Sequence, residues 1–192
     1  MIELEHLLPE PTALRDHRRS NPAGSWEDFK FQQTRHVVRR QLNLEQEGLC
    51  VYCENLLDPN AGHVEHIKPK QKNPDLTFEY PNLAHSCDGM ARAGNSARHC
   101  GPFKDNETLP VEPRPGCNTC FSISTLDGKL TATSGPASAM ADASKTLKIL
   151  GLNDPALTWT RKSYLDAISQ LEPSQKPIFL ADTPFRWVLR GI

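Results

Sequence analysis

Cys50-Val51-Tyr52-Cys53 sets two thiols one tight turn apart, the spacing at which both sulfurs reach the same tetrahedral zinc ion. A structural zinc site needs two further ligands, and the chain offers two pairs. Cys87 and Cys100 are the natural choice, because they flank the segment expected to carry a second strand and a helix, although residues 88–99 separate them. Cys117-Asn118-Thr119-Cys120 competes with a better spacing and a worse position, and its alternative is a pair of small thiols in a loop. Six cysteines in a chain that opens without a secretory signal are read as metal ligands before disulfides, since the cytosol keeps thiols reduced. A redox role fits Cys50 and Cys53 poorly: a thioredoxin-like pair opens a helix after a strand, whereas this one follows a predicted helix.

A second group of residues lies among the cysteines: Glu65-His66-Ile67-Lys68-Pro69, then Asn82-Leu83-x-x-x-Cys87, then Cys100-x-x-x-Lys104. In this order the elements resemble the HNH (ββα-metal) endonucleases, and together they are far more specific than any one alone. More narrowly, Glu45-Gln46-x-Gly48-x-Cys50-x-Tyr52-Cys53-Glu54 with Glu65-His66-Ile67-x-Pro69-Lys70 is similar to the HNH subunits of Septu-type and retron-associated bacterial phage-defence systems. The resemblance runs from about Trp26 through Asn106, with a weaker echo in Leu150-Gly151-Leu152-Asn153.

Such a resemblance implies phosphodiester hydrolysis, which requires an activated water, neutralisation of the charge developing at phosphorus and a stabilised leaving oxygen. His66 is the implied base, because an imidazole titrating at about 6.5 can take a proton from water at neutral pH. Glu65 is implied as a hard oxygen ligand for Mg²⁺ or another divalent cation, and Asn82 as the asparagine that fixes the loop and orients the base. The pattern departs after Cys100, where many relatives carry His or Asn as a further metal ligand and Gly101 stands here. His99, Asp105 and Asn106 are the candidates for that second ligand. Asn106 is favoured, since a helix starting near Cys100 would turn it toward the site. His63 shares a strand face with Glu65, and it either joins the site, as a metal ligand or a hydrogen-bonding partner, or is a satisfied polar histidine on a hairpin. Lys68, Lys70, Lys72, Arg92, Arg98 and Lys104 surround the motif, and Lys104, inside it, is the expected phosphate contact.

These residues need rigid elements to hold them. Ser25 followed by Asp28 reads as a capping box, so a helix is expected from about Trp26 to Glu47, with Phe31, Val38, Leu42 and Leu49 near helical spacing and Gly48 to end it. Arg35, His36, Arg39 and Arg40 form its other side, which is either a solvated face or one that meets phosphates. Gly62 to Ile67 alternates as a short strand, Asn82 to Cys87 reads as a second, and Cys100 to Asn106 as the start of a helix. From Met1 to Gly24 the pattern is weak. Ala143 to Leu150, and a stretch opened by Asp154-Pro155 with Leu157, Tyr164, Leu165, Ile168 and Leu171, read as supporting helices. Phe185, Trp187, Val188 and Leu189 form a last packed segment or a partner-facing patch. The expected fold is α+β: a small ββα-metal nucleus with structural zinc, packed among N- and C-terminal helices. One domain of 192 residues is expected, with its nucleus at about 45–108, an N-terminal helix at about 26–47 and a C-terminal helical region at about 140–190.

A net charge of −1 argues against a protein that grips nucleic acid over a wide surface, so contact with its substrate, DNA before RNA, should be local. The resemblance implies an ABC/AAA-type ATPase partner that supplies the rest and an effector role in antiphage defence. No apolar run approaches membrane-spanning length, so a soluble cytoplasmic protein without membrane association is expected. The competing class is a noncatalytic zinc knuckle that binds nucleic acid or a partner. Glu65-His66 with Asn82 discriminates against it, since a pure knuckle needs none of them.

Overall fold

The computed structural model describes residues 1–21, 24–89 and 98–190. The chain begins with α1 (Thr12–Ser20) and, after a 3-10 turn at Phe29–Phe31, forms α2 (Gln32–Glu45). The expected start at Trp26 fails for a local reason. Ser25 Oγ accepts from the Glu27 amide at 3.2 Å and Asp28 Oδ1 from the Lys30 amide at 2.9 Å, so both side chains stabilise tight turns and no reciprocal capping box forms. Downstream the reading holds. Val38 and Leu42 are fully buried on one face of α2, and positive φ at Glu47 (54°) and Gly48 (72°) turns the chain out of the helix.

Strands β1 (His63–His66) and β2 (Leu83–Ser86) form an antiparallel pair in the register His63↔Ser86, Glu65↔Ala84 and His66↔Leu83. The short helix α3 (Cys100–Lys104) comes next, ending two residues before the expected Asn106. A second antiparallel pair, β3 (Phe121–Ile123) and β4 (Leu130–Ala132), precedes α4 (Ala137–Ile149), α5 (Pro155–Ser169), α6 (Lys176–Ala181) and α7 (Arg186–Leu189). Asp154 caps α5 as its Asp-Pro opening suggests, accepting from the Ala156 amide at 2.9 Å. The architecture is mixed, with helices around two small antiparallel sheets. Among the described residues no helix is long and apolar enough to cross a membrane.

Two apolar clusters grip the hairpin from opposite sides. Leu14, Trp26, Phe31, Val38, Leu42, Tyr80 and Leu83 join α1 and α2 to the start of β2. Leu49, Val51, Ile67, Ala84, Leu147, Leu150 and Leu157 join the cysteine turn to α4 and α5. Each fully buried leucine contributes about 1.5–3 kcal/mol. Buried amides add direction to this adhesion. Gln46 Oε1 accepts the His85 amide at 2.7 Å, and its Nε2 donates to the carbonyls of His85 and Leu49, both at 2.8 Å, which ties the end of α2 to β2. Phe185 and Leu189 are fully buried, and Glu54 Oε2 accepts the amides of Trp187 and Val188, so the last helix packs against the cysteine turn.

Candidate functional site

Two groups of polar residues lie around the hairpin. In the first, Cys50 and Cys53 come from the tight turn after α2, where the Cys50 amide donates to the Asn55 carbonyl at 2.9 Å and the Glu54 amide to the Cys50 carbonyl at 3.0 Å. Cys87 follows β2 and Cys100 opens α3. All four sulfurs lie within 4.8 Å of one another, with Cys50–Cys100 and Cys53–Cys87 separations of 3.8 Å. Zinc bound by four thiolates at about 2.3 Å has sulfur–sulfur edges of roughly 3.8 Å, so this donor set fits the ion. The Cys87 amide donates to Cys50 Sγ at 3.4 Å, and hydrogen bonds from the neighbouring sulfurs hold the Cys87 thiol well below its usual range. His99 belongs to this group, its Nδ1 3.1 Å from Cys100 Sγ. Cys117 lies elsewhere, its Sγ 3.8 Å from the Ile2 carbonyl, and burial pushes its thiol up to about 11.

The second group lines a cleft of about 720 Å³ between α2 and β1, with His63, Glu65, His66, Lys70, Gly101 and Lys104 from β1 and the segments after it and Arg35, His36 and Arg39 from α2. Glu65 Oε1 accepts from Lys104 Nζ at 2.7 Å and from the Tyr52 hydroxyl at 3.3 Å. Burial opposes the ionisation of Glu65, but His63 and Lys104 outweigh it and hold the carboxyl below its ordinary value. His66 Nε2 lies 3.0 Å from the Thr77 carbonyl, which can only accept, so Nε2 carries the proton and Nδ1 the lone pair. The edge of Trp26 packs against the imidazole with ring centroids 4.5 Å apart. Burial pushes His66 down to about 4 against the opposing bond to Thr77, so the ring is neutral at pH 7.

Asn82 stands behind the cleft. Its Oδ1 accepts the Lys68 amide at 2.8 Å, and its Nδ2 donates to the carbonyls of Lys68 at 3.0 Å and Leu76 at 3.3 Å. One side chain thus clamps both ends of the loop that carries Thr77. Asn82→Ala is expected to cost about 1–3 kcal/mol by orphaning partly buried backbone groups of Lys68 and Leu76, read as a lower urea midpoint. An unchanged midpoint would contradict the clamp.

No protein-family model matches the chain. A protein of Vibrio cholerae serotype O1 biovar El Tor described as "Retron Vc95 putative HNH endonuclease" is 31% identical over 208 aligned residues, spanning 100% of this chain and 99% of that protein. The chain belongs to this HNH endonuclease family. In this family member, Glu65, His66 and Lys104 share the cleft and Asn82 bonds to the loop beside it. Two expected residues are placed differently. Lys104, read as a phosphate contact, turns inward and is 1% exposed, its ammonium bonded to Glu65 and, at 3.1 Å, to the His66 carbonyl. Asn106 lies beyond the end of α3 at the cleft, its amide donating to Asp105 at 3.2 Å, because the helix stops at Lys104 where Asp105 takes a φ of 49°.

Of the other cations, Lys70 lines the cleft and pairs with Glu27, Lys68 faces Glu112 at 3.9 Å, and Arg98 pairs with Asp154 at 3.3 Å; Arg92 lies outside the described residues. Thr77, Trp26 and Asp88 contact the histidines of the cleft, and no motif announces them. Thr77 acts through its backbone, and Trp26 and Asp88 reach their histidines only through the fold. Tyr52 stood within the cysteine motif without an assigned role.

Proposed function

We propose that the chain is a divalent-metal-dependent HNH endonuclease that hydrolyses phosphodiester bonds, and that it serves as the effector subunit of a bacterial antiphage defence complex. In this reading β1, β2 and α3 are the ββα-metal nucleus. The observation that carries it is His66, neutral, with Nε2–H fixed on the Thr77 carbonyl, lying in the same cleft as ionised Glu65. A noncatalytic zinc knuckle would require no such pair.

His66 Nδ1 accepts a proton from the attacking water, and the bond to Thr77 stabilises the resulting imidazolium while preventing rotation of the ring. Asn82 holds the loop that supplies this carbonyl. Glu65 Oε2, with Oε1 occupied by Lys104 and Tyr52, would hold Mg²⁺ or another divalent cation, whose charge would neutralise the phosphate and the leaving oxygen. Asn106 is the sequence's candidate for a further ligand. Lys104 keeps Glu65 ionised and aimed, and phosphate contact falls to cations of the cleft such as Lys70 and Arg35. Few such contacts imply modest affinity that weakens with salt, which supports an ATPase partner that captures nucleic acid, with DNA the first substrate to test.

The test is cleavage of end-labelled DNA and RNA by the zinc-loaded chain, alone and with the ATPase encoded beside it. Cleavage requiring added Mg²⁺ and rising with the ATPase supports the reading. A chain that binds no ATPase and cuts at full rate in physiological salt would leave a self-sufficient nuclease.

A further inference from the structure

The geometry points to His63 as the second protein ligand of the divalent cation, an inference that rests on the nuclease reading and completes its metal site. His63 Nε2 and Glu65 Oε2 lie 3.3 Å apart on the same face of β1, near the separation of about 3 Å expected for neighbouring ligands of an octahedral cation with bonds of about 2.0–2.1 Å. The space between them is kept open by the residue that looked anomalous in the sequence. A β-carbon on Gly101 would sit 2.5 Å from Glu65 Oε2 and 2.7 Å from His63 Nε2, so no larger side chain fits there and both donor atoms converge on one point. The position after the last cysteine thus supplies room, and the ligand arrives from the strand instead.

The other ring nitrogen is already committed. His63 Nδ1 lies 3.2 Å from Asp88 Oδ1, the carboxylate–histidine pairing that keeps Nδ1 protonated and leaves Nε2, which faces Glu65 Oε2, as the nitrogen that would turn its lone pair to a cation taking the place of the proton between them. Glu65 is set in the same way, since Lys104 and Tyr52 occupy Oε1 and leave Oε2 to the cleft. Asp88, His63, Glu65 and Lys104 therefore form one chain of contacts with a two-ligand seat at its centre, and water completes the coordination, as is usual for Mg²⁺.

Mn²⁺, which replaces Mg²⁺ and is visible by electron paramagnetic resonance, tests the assignment on the zinc-loaded full chain without nucleic acid. Wild type should bind one Mn²⁺ in the cleft and show hyperfine coupling to one imidazole nitrogen. His63→Ala should abolish that coupling and weaken Mn²⁺ binding at least tenfold, and Asp88→Asn should weaken it by about tenfold while the coupling stays. Gly101→Ala should lose the site at an unchanged zinc content. Nitrogen coupling that persists in His63→Ala, or affinity within twofold of wild type, overturns the inference. Absence of nitrogen coupling in a wild-type chain that still cuts nucleic acid overturns it alone, whereas Mn²⁺ bound through His63 by a chain that cuts nothing refutes only the nuclease reading.

Discussion

Cys50→Ser should abolish zinc binding at the four-cysteine cluster and unfold the region around the cysteine turn. The sulfur of Cys50 is fully buried, lies 3.8 Å from that of Cys100 and accepts the Cys87 amide, so its removal disconnects the turn after α2 from both β2 and α3. Structural zinc contributes folding free energy directly, on the order of 10 kcal/mol in small zinc-dependent domains. In a chain of this size about 1 kcal/mol moves the thermal midpoint by roughly 2–4 °C. A fall of more than about 10 °C is therefore expected, together with zinc below one ion per chain by elemental analysis. Cys117→Ser should retain the full complement, since its sulfur lies outside the four-sulfur group. A full zinc content in Cys87→Ser would contradict the four-sulfur site.

His66→Ala should reduce cleavage by about 10²–10⁴-fold, the usual contribution of a positioned general base, while zinc content stays at the wild-type level. Some stability is lost with it, because the imidazole fills the space beside Trp26 and holds the Thr77 carbonyl. His66→Gln separates the two effects. A glutamine amide can still donate to Thr77 but cannot take a proton from water, so this variant should recover stability and remain inactive. Recovery of activity with glutamine would assign His66 to packing alone.

The difference between what was legible in the sequence and what was not follows the range of the interactions. Cys50-x-x-Cys53 and Glu65-His66 announce themselves because their chemistry is local, and the hairpin could be placed because Gly62 to Ile67 alternates and Asn82 to Cys87 reads as its partner across a Pro-rich loop. α1 left no periodic signal, since Leu14 is its buried residue, and β3 and β4 span three residues each, too short for alternation to register. Gln46 and Glu54 belonged to the motif without an evident role, and both prove to tie separate segments to the cysteine turn. Gly101 looked like a missing ligand because the sequence does not show that His63 and Glu65 occupy the space its side chain would need. Asn106 was expected on α3 because nothing in the sequence announces that the helix ends at Lys104.

The most direct test of the account is a side-by-side cleavage assay of wild type and His66→Ala, matched in zinc content and in the presence of the ATPase. The assay follows labelled DNA and RNA with added Mg²⁺. The account predicts that wild type cuts, that cutting stops when Mg²⁺ is withheld, and that His66→Ala leaves the substrate intact over the same period. Cleavage by His66→Ala at the wild-type rate would contradict it.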